Sequence, residues 1–126
     1  MSNKQIVVDI PGVNSKSGME LCDGDFNIYL HSLRLFVTNI PPVLEKIKVV
    51  SKETLHDYAI GVHGAKSVSE YIGAEEAHLK AKQLEFMAKN GDLSGILAQN
   101  EDFVKYIKNL VDNINSWLSK NNYLSK

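Results

Sequence analysis

Apolar residues return every three or four positions over most of the chain. Phe26, Tyr29, Leu30, Leu33, Phe36, Val37 and Ile40 make the first such run, the spacing that gathers side chains on one face of a helix. Asp23 and Asp25 precede it as N-cap candidates. Pro41-Pro42 predicts its end, with a second, short helix over 43–50. Ser51 to Thr54 reads as the next start signal. A third helix is predicted from about Glu53 to Ile72, with Leu55, Tyr58, Val62, Ala65, Ser69 and Ile72 on one face and Gly73 as a left-handed stop. A fourth follows from about Ala74 to Asn90, with Ala77, Ala81, Leu84, Met87 and Ala88 inward and Gly91 as its stop. A short turn or helix over 93–98 leads into a last helix from about Asn100 to Lys120, striped by Phe103, Ile107, Leu110, Ile114 and Trp117 or Leu118.

The first 22 residues lack this rhythm. Pro11-Gly12 and Asn14-Ser15 are loop signals, so residues 1–22 are expected to form an N-terminal arm lying on the domain, with a short turn near Gly18–Leu21. A period of two is hinted at only over Gln5–Val8. The expected fold is all-α: an antiparallel four-helix bundle over 23–120, with an additional short helix, the N-terminal arm and a C-terminal tail over 121–126.

Composition narrows the function. At 126 residues and 44% hydrophobic, the chain supports one buried core. Fourteen basic against fifteen acidic residues give a formal charge of −1, which disfavours a general nucleic-acid binder. The single cysteine, Cys22, builds neither a disulfide framework nor a thiolate metal site. No apolar run approaches the ~20 residues that span a bilayer, and the opening MSNKQIVVDI lacks a long apolar leader. A cytoplasmic, monomeric protein without membrane contact is the expectation. So small a chain also has little room for a self-sufficient cofactor site, and any chemistry is expected to be shared with a partner.

One constellation points to chemistry. His63 stands eleven residues before Ala74 and Glu85 eleven after it. If the two helices fold back at the Gly73-Ala74 turn, both side chains reach the same height, roughly 16 Å from the loop. Each lies about 100° from the core centre of its helix, a flank position neither buried nor fully outward. A carboxylate accepting from Nδ1–H fixes the imidazole tautomer, leaves the Nε2 lone pair outward and makes the ring a better nucleophile. Lys66 follows His63 by three and is placed to neutralise an anion such as a phosphoryl group. Ala59, Gly64 and Ser67 are small, leaving the ring clear for a docking protein. Gly61 and Gly64 each cost about 1 kcal/mol in a helix interior, a cost that fits a surface kept low. Lys82 and Lys89 flank Glu85 on the next helix.

These residues carry a resemblance. The stretch from Tyr58 through His63, Lys66, Ser67 and Ile72-Gly73-Ala74, then Ala81-Lys-Gln-Leu84-Glu85 and Gly91-Asp92, is similar to the signature of histidine-containing phosphotransfer domains. The segment from Gly18 to Asp25, with Tyr29, Leu30 and Phe36, resembles the first helix of that family. The likeness covers about residues 10–118. It departs from the pattern at Ala65, where Leu is usual before the lysine, and at Gly61 and Gly64. The resemblance implies a phosphocarrier in a two-component phosphorelay. His63 would be the phosphoryl acceptor, Lys66 would stabilise phosphate charge and Glu85 would orient the imidazole. Ala59, Gly64, Ser67, Lys82 and Lys89 would belong to the docking face. The implied partners are a response-regulator receiver domain, a hybrid sensor histidine kinase, or both. No intrinsic cofactor is expected; Mg²⁺ is expected in the receiver, and the chain would be a phosphotransfer intermediate rather than an enzyme.

Plainer readings stand beside this one. A helical histidine is usually a boundary residue, Glu85 has a plainer reading as a solvated helix residue, and Lys66 has Glu70 at i+4 as an ordinary partner. His31, His56 and His78 are boundary or surface histidines on their own evidence. His56 and His63 are seven apart, which is not the spacing of two helical metal ligands. Leu79 and Phe86, off the main apolar face, are expected to pack on the first helix or the arm. An alternative function is a receiver-binding adaptor that carries no phosphate; a third is a peptide-binding bundle outside signalling.

Overall fold

Helices account for nearly all the regular structure. A computed structural model describes residues 7–124, and among these it contains five helices and no strand: α1 (Ser15–Leu21), α2 (Phe26–Ile47), α3 (Leu55–Tyr71), α4 (Glu75–Lys89) and α5 (Leu93–Lys120). The hint of a strand at Gln5–Val8 falls partly outside the described residues; Val7 and Val8 are not in a strand. Side-chain caps fix three of the starts. Asn14 accepts from the Ser17 amide, Asp25 Oδ1 from Asn27 (3.0 Å) and Ile28 (3.2 Å), and Asp92 Oδ1 from Gly95 (3.0 Å).

Three expectations need correction. Where a turn was expected near Gly18–Leu21, α1 begins at Ser15, because Asn14 supplies a cap. The chain also passes through Pro41 and Pro42 without leaving the helix. A proline inside a helix costs ~3 kcal/mol, but both rings are exposed while Phe36, Ile40, Leu44 and Ile47 stay buried across the break. Full burial contributes about 1.5–3 kcal/mol per side chain of this kind, so four together offset two prolines. Residues 93–98 and the last helix are likewise one continuous α5, because buried Ile96 and Asn100 extend the stripe of Phe103, Ile107 and Ile114 backwards without a gap.

α2 and α4 each pack on both α3 and α5, while α1 lies against α2 and α3. The largest fully buried side chains, among them Tyr29, Leu33, Phe36, Ile40, Leu84 and Ile107, fill the space between them. The α3–α4 turn is fastened from outside. Gly73 takes φ +79°, its carbonyl accepts from the Asn14 amide at 2.8 Å, and a Cβ there would strike the Asn14 carbonyl. Tyr29 Oη donates to the Ile72 carbonyl at 2.9 Å. At the other end of the chain Tyr123 stacks on Trp117 and meets the edge of Phe26, each with ring centres 5.6 Å apart, while Arg34 Nε donates to its carbonyl at 2.7 Å.

Candidate functional site

The turn at Gly73 sets the register of the two helices that carry the site. With α3 and α4 packed side by side, His63 and Glu85 meet: Nδ1 lies 2.7 Å from Glu85 Oε2. The imidazole side chain is 58% exposed and the carboxylate only 6%. Glu85 is therefore buried, not at the half-exposed flank expected of it. The helix α4 packs on α3 and α5 at once, so its buried arc is wide enough to hold Leu84 and Glu85 together with Ala81 and Ala88.

A buried carboxylate needs partners, and this one has three. Lys66 Nζ reaches Oε1 at 2.7 Å, Lys89 Nζ reaches Oε2 at 3.2 Å, and His63 supplies the third contact. Burial by itself would push the Glu85 carboxyl up. The hydrogen bonds from Lys66, Lys89 and His63 outweigh it and hold the carboxyl down to about 2. Glu85 is thus ionised at neutral pH and can only accept. The proton of a neutral His63 ring must then sit on Nδ1, leaving the Nε2 lone pair unprotonated. Two lysine charges against one carboxylate leave the surroundings of the ring with a net positive balance.

The remaining residues sort by what they touch. Lys66 pairs with Glu85 rather than with Glu70 at i+4, and it is the less exposed of the two lysines. Gly64 is exposed and a Cβ added to it would meet nothing within 4 Å, so the surface next to His63 is open. Gly61 has a different reason from the one expected: a Cβ there would lie 2.6 Å from Ile47 Cγ2, so it serves the approach of α3 to α2. Ala59 and Ser67 are half-buried one turn either side of His63, and Lys82 is exposed and in no ion pair among the described residues. Leu79 and Phe86, expected to pack on the first helix or the arm, are 61% and 69% exposed. Ile60, one turn before His63, is 61% exposed as well.

Sequence reasoning missed the extent of the convergence on Glu85. The spacing of Lys89, four residues after Glu85, was its one local signal. The sequence offered no sign that Lys66 would turn toward Glu85 across the helix pair. It also gave no hint that His78 Nδ1 would sit 3.1 Å from the Lys66 carbonyl. No family model matches the chain, and no curated protein or solved structure matches it.

Proposed function

We propose that the chain is a histidine phosphocarrier of the phosphotransfer-domain type, an antiparallel four-helix bundle of α2 to α5 with α1 laid across it. The observation that carries this reading is the 2.7 Å contact between a solvent-exposed His63 and a buried, ionised Glu85, within the His63-x-x-Lys66 pattern. Nε2 of His63 attacks the phosphorus of an aspartyl phosphate on a receiver domain. The N–P bond forms as the acyl O–P bond breaks, and the aspartate leaves as a carboxylate. The ring keeps its Nδ1 proton and gains positive charge, which the Glu85 carboxylate stabilises. Negative charge spread over the phosphoryl oxygens in the transition state is met by the Lys66 and Lys89 ammonium groups. The transfer then runs in reverse onto the aspartate of a second receiver, the N–P bond breaking as the acyl O–P bond forms and the His63 ring leaving neutral.

This chain brings the nucleophile, its orientation and a landing surface. The Mg²⁺ of the reaction is assigned to the receiver, as the resemblance implies. No helix among them is long and apolar enough to cross a membrane, and the proposed carrier works in the cytoplasm.

The test is direct. Incubation with a receiver phosphorylated by a small-molecule donor should transfer an acid-labile, alkali-stable label to the chain, and none to His63→Gln. Receiver binding without label would make it an adaptor; label on His63→Gln would remove His63 from the reaction.

A further inference from the structure

The seam between α3 and α4 holds a second acid–imidazole level, two helical turns nearer the loop than the first. Glu70 lies four residues before Ala74 and His78 four after it, placing them about 10 Å along the helices from His63 and Glu85. There the seam opens, with α1, into a groove of about 490 Å³ whose walls include Glu20 and Leu21 of α1, Glu70 of α3, and Glu75, His78 and Leu79 of α4.

The chemistry is opposite in sign to that at His63. Among the described residues no lysine or arginine lines the groove. Glu20, Glu70 and Glu75 form no ion pair among the described residues; Glu75 accepts a 3.4 Å hydrogen bond from Asn14 Nδ2. His78 Nδ1 faces the Lys66 carbonyl, which can only accept, so in the neutral ring the proton is on Nδ1 and Nε2 is a further acceptor. Leu21 and Leu79 are 56% and 61% exposed and line the same groove, so it offers an apolar element between its carboxylates. These acids are not arranged to hold a metal ion. An acidic occupant would meet three carboxylates that no described residue pairs with a cation, and a purely apolar one would strip water from them without compensation.

We infer that this groove is a docking point for a protein segment that carries lysine or arginine side chains around one apolar anchor. The anchor packs between Leu21 and Leu79 while its basic neighbours pair with Glu20, Glu70 and Glu75. A partner that met both levels of the seam would place acidic groups over Lys66 and Lys89 and basic groups over the groove, so its orientation would be set by charge. Groove binding itself does not depend on phosphate being carried.

Two synthetic amphipathic helical peptides serve as probes, one of Lys and Leu and one of Glu and Leu, titrated into the isotope-labelled full chain while amide shifts are recorded. The Lys–Leu peptide is expected to move the amides of Glu20, Glu70, Gly73, His78 and Leu79, and the Glu–Leu peptide to leave them in place. Removing one or two exposed charge pairs should weaken binding about three- to ten-fold in Glu70→Gln and in Glu70→Gln/Glu75→Gln. The remote pair Glu101→Gln/Asp102→Asn should bind as the parent does. Leu79→Ser tests the anchor and should weaken binding at high salt, where charge is screened. His63→Gln should bind unchanged, which separates this proposal from the carrier function. Shifts scattered over all acidic surfaces, equal weakening in the remote pair, or equal binding of the acidic peptide would overturn it.

Discussion

Two buried polar networks stand on the same helix and end differently. Near the start of α3, Tyr58 Oη donates to Asn100 Oδ1 at 2.7 Å, and Asn100 Nδ2 donates to the Ile47 carbonyl at 2.7 Å. Both side chains are buried, and the relay is closed. It ties the end of α2 to α3 and α5 and offers solvent nothing. Further along α3, His63 and Lys66 meet Glu85 of α4, which is as buried as Asn100, but this network runs outward through His63, Lys66 and Lys89. A closed chain of hydrogen bonds specifies packing. A chain that terminates in an exposed ring with a free lone pair presents a nucleophile. The difference lies in the open end, not in the number of bonds.

The sharpest way to break this contrast is to remove each terminus. His63→Gln should lose all acid-labile label from a phosphorylated receiver while its thermal unfolding stays close to that of the parent; an unfolded variant would mean the ring is structural after all. Asn100→Ala should do the opposite. It strands the Tyr58 hydroxyl and the Ile47 carbonyl, at about 1–3 kcal/mol for each buried group left unpaired, so urea unfolding should show a loss of roughly 2–6 kcal/mol. Label acceptance should persist wherever the protein is folded. Glu85→Gln comes next: the amide can still accept from Nδ1 but no longer offsets ring charge. Single-turnover transfer should slow roughly ten- to a hundred-fold, the scale of a hydrogen bond to a charged group. Lys66→Ala should slow transfer less, by about tenfold, since Lys89 still reaches the same carboxylate.

The smallest effect is on pH. Glu85 sits at about 2 in the folded chain against an ordinary value of 4.5, so folding favours its ionised form. The stability this contributes is complete above about pH 4.5 and is lost as pH falls toward 2. Urea unfolding of the parent between pH 5 and 3 should therefore fall more steeply than that of Glu85→Gln. Parallel curves would show that the three donors do not act on this carboxylate.

Local chemistry made some features readable from the chain alone. The faces of α3 and α4, the Gly73 stop and the matched heights of His63 and Glu85 all follow from periodicity and one turn residue. The depth of Glu85 did not, because it is decided by the groups that close over it, two of them from α3, contacts with no local signature. Continuity of α2 through Pro41-Pro42 was hidden for a similar reason. The proline signal is intrinsic to two residues, whereas the force that overrides it is spread over Phe36, Ile40, Leu44 and Ile47. Gly61 and Gly64 look alike in the sequence, yet one meets Ile47 and the other meets open space. Lys66 had two acids within reach, and only the third dimension chose between them.

The two adjacent prolines leave a lasting mark on α2. Neither can donate to the carbonyl four residues earlier, so Val37 and Thr38 each miss a rung of the backbone ladder. The rod is continuous as a shape but interrupted as a cooperative chain of amides. Its two halves can therefore breathe independently, each held to its neighbours by its own share of apolar packing. Slow amide-exchange rates should then fall into two families that divide at this point.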